Sequence, residues 1–306
     1  MNQRSGLNIA ITGATGFIGR HLTDDLIQQG HTVQALVRDS QAPLPAGCAR
    51  ITGGLESDPA LAQLVAKQDA VIHLAGAIAG RRDADFMRIN AAGTTRLLSH
   101  LEAHNGPRLI LVSSLAARHP ELSPYGASKA AAEAVVQSSP IDWLIVRPPA
   151  VYGPDDPALA PLWALLARGW LPRLGPADAR FAMIHVSDLA RGIASMLTLE
   201  GPQRRCFELD DGCVDGHNWS EVATVVGRLR GRRVRTVPVP GWALHSAAQL
   251  TRWTQAWQRH PAMLSPGKVR ELRHRDWCIA PAHRYHHPTW SPQLDLAAGL
   301  RTLRDW

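Results

Sequence analysis

From the N-terminus to about residue 150, short apolar runs alternate with helix-length segments. The runs predict strands near Asn8–Thr12, Thr32–Val37, Arg50–Thr52, Ala70–Leu74, Arg108–Ser113 and Trp143–Arg147. Between the first two, Ile18, Leu22 and Leu26 recur at helical spacing and Gly30 follows as a stop, which predicts a helix over residues 17–29. Repeated strand–helix–strand units of this kind imply an α/β fold built on a doubly wound parallel sheet.

After Pro148-Pro149 the rhythm loosens into segments rich in Pro, Trp and Arg. Residues 1–150 are therefore expected to form the nucleotide-binding domain, and 151–306 mainly a smaller C-terminal substrate-binding lobe, with about 180–210 returning to the first domain. Nine of the ten tryptophans follow residue 160, enough apolar surface to line a pocket for an apolar or ring-shaped small molecule, to fill a core, or to meet a second subunit in a homodimer. Trp242, Leu250, Trp253 and Trp257 fall near one helical stripe. A helix over the substrate cleft is the expected use, with interfacial membrane contact as the alternative.

The glycine-containing turn Thr12-Gly13-Ala14-Thr15-Gly16-Phe17-Ile18-Gly19 stands between the first strand and the first helix. A pyrophosphate placed there meets free backbone N–H groups and the positive helix end. Side chains at Gly13 or Gly16 would obstruct the turn or the phosphate, and one at Gly19 would hold the helix off the sheet. Where the second strand ends, the chain reads Leu36-Val37-Arg38-Asp39. A guanidinium grips a ribose 2′-phosphate, so Arg38 points to NADP rather than NAD, although a shift of one residue would present Asp39 instead.

Tyr125-Gly126-Ala127-Ser128-Lys129 opens an alanine-rich helical segment, which places Tyr125 and Lys129 one turn apart on one face. Lowering a phenol from about pH 10 to about 7 takes roughly 4 kcal/mol of preferential phenolate stabilisation, a task for a nearby ammonium and a cationic nicotinamide. Ser113 and Ser114 end the fifth strand at the carboxyl edge of the sheet, where ligands of open α/β sheets bind.

With the glycine loop, the serine pair and Tyr-x-x-x-Lys in this order, the chain resembles the extended short-chain dehydrogenase/reductase superfamily and its Rossmann fold. Further likeness lies in His73-Leu74-Ala75-Gly76, Asn90 with Gly93-Thr94, Arg147 to Pro154, and Ile184-His185-Val186-Ser187-Asp188. These motifs are similar to those of epimerases, dehydratases and 3β-hydroxysteroid-dehydrogenase-like reductases, over roughly residues 8–195. The resemblance implies that Tyr125 exchanges the proton, that Lys129 binds the nicotinamide ribose and lowers the tyrosine pKa, and that Ser114, with Ser113 as fallback, holds the substrate oxygen. It also implies that Asn90 contacts the cofactor or a relay water, that Leu74, Ala75 and Gly76 border the adenosine side, and that Pro148 and Val151 border the cofactor. Gly53-Gly54-Leu55 replaces the Gly-Asp-Leu of many relatives.

The net charge of +7, with clusters at Arg228–Arg235 and Lys268–Arg275, favours anionic partners in general. No recognition motif accompanies it, so a solvated basic face is expected and no nucleic acid. Four scattered cysteines argue against disulfides and zinc, and with no apparent leader and no apolar run of about 18 residues a reducing cytoplasm is the expected setting. His185 with Asp188 admits an acid/base pair, with Asp188 as helix cap the structural alternative; Arg180 admits a substrate phosphate or a surface position; His283, His286 and His287 lack an acidic partner for a metal. Carbonyl reduction or alcohol oxidation is the first expectation, nucleotide-sugar epimerisation the second, and a non-catalytic NADP-binding regulatory or assembly subunit the third.

Overall fold

The computed structural model describes residues 6–103, 106–254 and 264–303. Six strands, β1 (Asn8–Thr12), β2 (Thr32–Val37), β3 (Ala49–Thr52), β4 (Ala70–His73), β5 (Arg108–Val112) and β6 (Trp143–Arg147), fall within a residue of the expected runs. With the later Arg205–Glu208 strand they form one parallel sheet in the order Arg205–Glu208, β6, β5, β4, β1, β2, β3. Chain order reverses between β1 and β4, the switch point at which doubly wound sheets bind ligands.

Alternate strand residues feed two apolar layers. Ile9, Ile11, Val33 and Ile72 face Leu22 and Leu26 of α1 (Phe17–Gln28). Ala10, Val71 and Leu109 face the other layer, with Leu61 of α2 (Asp58–Val65). A short α3 (Asp83–Phe86) and a π-helical stretch at Met87–Ala92 lead into α4 (Gly93–Ala103), which adds Leu97 and Leu101. Ser123 caps α5 (Pro124–Gln137) by accepting from Gly126 N at 2.9 Å, and Pro124 occupies the first turn, where its missing N–H costs nothing.

Beyond β6 the chain forms β7 (Ala150–Tyr152), α6 (Ala160–Ala167), β8 (Trp170–Arg173), β9 (Arg180–Phe181) and β10 (Met183–His185). It then returns to the sheet through α7 (Val186–Ser195), whose Leu189 and Ile193 share a core with Leu22 and Leu26, and through the seventh strand, β11 (Arg205–Glu208). β12 (His217–Asn218), α8 (Trp219–Arg230), β13 (Arg235–Pro238), α9 (Gly241–Thr254), α10 (Pro266–Leu272), β14 (Asp276–Trp277) and α11 (Leu296–Leu300) follow. Tyr152, Trp163, Leu171, Trp219, Val226 and Leu300 build a separate core from these distant stretches.

The tryptophan-bearing helix lies one layer of side chains back from the central cavity. α9 buries Leu244 and Ala248 against Val269 of α10, Leu174 and Leu264, and it contributes no wall to the central cavity. Its face bearing Trp242, Leu250 and Trp253 is turned outward; Trp257 lies outside the described residues.

Candidate active site

The glycine turn crosses the carboxyl end of β1 with Gly13 at φ +81°, where a Cβ would stand 2.7 Å from Ala75 N. A Cβ on Gly19 would overlap Gly13 O, so the first turn of α1 sits directly on the loop. Gly16 caps α1 with no side-chain hydrogen bond, which leaves the leading N–H groups open to an anion. Thr15 and Gly16 are exposed, and Phe17 and Ile18 half-buried. This cradle fits a dinucleotide pyrophosphate. Arg38 is exposed just beyond β2, and the Asp39 carboxylate turns back to accept from Gln41 N at 2.9 Å.

The opposite rim is fixed by polar contacts. Thr12 Oγ1 meets His73 Nδ1 at 2.6 Å and accepts from Ala75 N at 3.2 Å; burial holds the His73 imidazole neutral, its pKa down to about 3. Asn90, inside the π-helical stretch, accepts from Ala77 N at 2.7 Å and donates to Ala77 O at 3.0 Å and to Ser128 Oγ at 2.9 Å. The Leu74–Gly76 edge is thereby tied to α5. Gly76 leaves room beside both Asn90 Oδ1 and Lys129 Nζ, at 3.0 and 3.5 Å from where its Cβ would be.

The two serines part company. Ser113 Oγ donates to Glu133 Oε1 at 2.5 Å, beneath the site. Ser114 lines the cavity with Tyr125, accepts from Ala116 N at 3.2 Å, and its hydroxyl favours the Tyr125 phenolate. Lys129, one turn further along α5, donates to Val112 O at 2.9 Å; burial lowers its pKa to about 8 against the opposing pull of Glu133. In the protein without cofactor, burial pushes Tyr125 up to about 12, with Ser114 pulling down and Glu271 pushing up. At neutral pH the phenol therefore carries its proton.

Ser114, Tyr125, Pro148 and Val151 edge a cavity of about 580 Å³ that runs from Phe17 into the lobe. Its far walls are mostly apolar, with Leu159, Leu162, Trp163, Leu171, Leu174 and Trp219. Ser123 donates to buried Glu271, which also pairs with Lys268 at 2.9 Å. Below the serines, Arg147 donates to Glu133 at 2.5 Å and lies 3.7 Å from fully buried Glu208, which Arg118 also approaches. Sequence reasoning missed Glu133, although Tyr125, Lys129 and Glu133 recur every four residues in an otherwise small-residue helix. Glu271 carried no comparable signal.

Neither reading of His185 and Asp188 matches. His185, at the start of α7, itself accepts from Ser187 N at 3.2 Å, and Asp188 is buried, accepting from Gln293 N at 3.1 Å and Leu294 N at 2.9 Å and pairing with Arg191. Two backbone donors and a guanidinium account for the burial of that carboxylate. Arg180 borders the cavity while donating to Asp215 O at 2.5 Å and Gly216 O at 3.0 Å. Among the described residues no cluster of three or more His, Cys, Asp or Glu could hold a metal, and no helix is long and apolar enough to cross a membrane.

Comparison with known proteins bears on the fold and the family. The ceramide reductase of Caulobacter vibrioides is 38% identical over 272 residues, covering 88% of this chain and 85% of that protein. A mitochondrial protein of Arabidopsis thaliana, NADH dehydrogenase [ubiquinone] 1 alpha subcomplex subunit 9, is 30% identical over 249 residues, 77% of this chain but 61% of the relative. The crystal structure of a UDP-glucose 4-epimerase from Thermotoga maritima with UDP-glucose superposes with a TM-score of 0.70, covering 97% of each chain at 19% identity. The NAD dependent epimerase/dehydratase family matches residues 9–209, and this chain belongs to it, as an enzyme of the NAD(P)-dependent reductase and epimerase type.

Proposed function

We propose that the protein is an NADPH-dependent reductase of ketones carried on long apolar chains. The observation that carries this reading is the Ser114–Tyr125 pair, its phenol protonated at neutral pH, at the mouth of a largely apolar cavity of about 580 Å³. NADPH, when bound, supplies hydride to the carbonyl carbon. Ser114 orients the carbonyl oxygen, and Tyr125 donates the proton that oxygen needs as it becomes a hydroxyl, to be reprotonated afterwards from solvent. Lys129, fixed on Val112 O beside Gly76, is placed for the nicotinamide ribose and keeps positive charge near the transient phenolate. Arg38 favours the 2′-phosphate, because the neighbouring Asp39 carboxylate is engaged by Gln41 N.

The likeness to a ceramide reductase supports an apolar-chain substrate. Nucleotide-sugar epimerisation is the second reading, favoured by the fold likeness, yet Arg180, a cavity-bordering arginine placed to meet a diphosphate, already donates to Asp215 O and Gly216 O and lies 3.7 Å from Glu221. The test is NADPH consumption with a ladder of alkyl ketones, beside NADH and UDP-glucose. Turnover rising with chain length and falling at least tenfold with NADH is expected. Conversion of UDP-glucose without net cofactor change, or inertness toward every ketone, would overturn the proposal.

A further inference from the structure

We infer that the outer face of α9 and the adjoining β8–β13 ribbon form a docking surface for an anionic lipid bilayer. The apolar part is large and contiguous in the chain. Trp242 is 74% exposed and Trp253 81%, and both lie with exposed Leu250 on the side of α9 opposite buried Leu244 and Ala248. Beside the start of α9, Trp170 of β8 and Val237 of β13 are also exposed, on the side of the ribbon opposite buried Leu171. Exposed tryptophans at this density are costly in water, and their amphipathic rings suit the headgroup boundary of a membrane.

Charge selects the occupant. Between Arg228 and Arg275 the sequence holds eleven Lys and Arg against one carboxylate, Glu271, which is buried with Ser123 and Lys268. The whole chain carries only +7, so this stretch holds all of the excess and the remainder is net negative. One arginine reaches the apolar surface directly: Arg235 lies over the Trp170 ring at 5.7 Å, while the exposed Arg273 stands beside Gly241 at the foot of α9, on its inner side. Arg275 pairs with exposed Asp178 and Lys268 with Glu271; the remaining basic excess beside exposed aromatic rings complements phosphate headgroups over acyl chains. A second copy of this chain would instead place two such basic fields against each other.

The surface also adjoins the cavity. Leu174 and Leu264, on which the inner side of α9 rests, are themselves cavity walls, so one layer of side chains separates bilayer-facing α9 from the apolar interior. A chain leaving a membrane would have a short path to Tyr125. Docking itself does not depend on the reductase reading, since it rests on the outer face alone.

The test is flotation of the full-length protein with vesicles of phosphatidylglycerol and phosphatidylcholine, against phosphatidylcholine alone, for the wild type and the W242S/W253S double variant. Thermal melting and NADPH titration verify that the variant is folded, and turnover of a water-soluble short ketone reads the reductase proposal separately. Binding to the anionic vesicles only, weakened at least tenfold by the double substitution and by high salt, is expected. Absence of binding, equal binding by the double variant, or a wild-type dimer that the double variant dissolves while neither binds vesicles would overturn the inference.

Discussion

At the scale of single residues, the site rests on a phenol and an amine moved by burial in ways that suit reduction. Tyr125 is pushed up to about 12 and stays protonated at neutral pH; Lys129 is pushed down to about 8 and is charged only below that value. Reduction needs both protonated forms. The pH profile of kcat/KM with a ketone is therefore level through neutrality and falls as pH passes about 8, and in Lys129→Arg, whose guanidinium does not titrate there, that limb is missing. Removing the proton donor, Tyr125→Phe, lowers kcat by about 10²- to 10⁴-fold with cofactor affinity unchanged, as single-turnover kinetics and NADPH fluorescence titration would show. Of these residues, Tyr125, Lys129 and Ser114 could be singled out by chemical type and spacing, while the roles proposed for them come from the family resemblance. The upward shift of the tyrosine without cofactor was not legible, because it arises from burial by distant segments of the chain.

At the scale of elements, α5 acts as a rod with three charged or polar positions on one face, anchored below by Glu133 against Arg147. Glu133→Ala leaves Arg147 half-compensated in the interior and releases Ser113, so a loss of about 3 kcal/mol in urea unfolding is expected, since breaking a buried pair strands a charge. α1 is seated so closely that Gly19→Ala must displace it from Gly13 O; dinucleotide affinity drops by an order of magnitude or more in calorimetric titration while the thermal transition persists. The six N-terminal strands and α1 could be read because each carries its own apolar periodicity. β11 carried no such sign: Arg205-Cys206-Phe207-Glu208 is short, begins and ends in charge, and is a strand only because β6 offers it an edge.

At the scale of the whole molecule, the sheet with its helices carries the candidate cofactor and proton-donor residues, and the later segments supply the apolar walls of the cavity beside them. The lobe core joins Tyr152, Leu171, Trp219 and Leu300 from four separate stretches, which is why the tryptophan excess was visible in the sequence but its division between cavity wall and outer surface was not. Trp163, Trp219 and Trp277 border the cavity, whereas Trp170, Trp242 and Trp253 face outward. Filling the far end by Leu174→Trp shortens the usable cavity, so turnover of long ketones falls while that of short ones is kept, a split that steady-state kinetics along a chain-length series would reveal.

In the proposed reaction the chain moves hydride one way, from cofactor to a chain-borne ketone, with Tyr125 supplying the proton. NADPH deuterated at the transferring position of the nicotinamide, incubated with a long-chain ketone, tests it most directly by mass spectrometry of the product. An alcohol bearing one deuterium on the carbinol carbon is expected, with matching loss of reduced cofactor, and none from Tyr125→Phe. Label that stays on the cofactor, or alcohol formed without it, would rule out this hydride transfer.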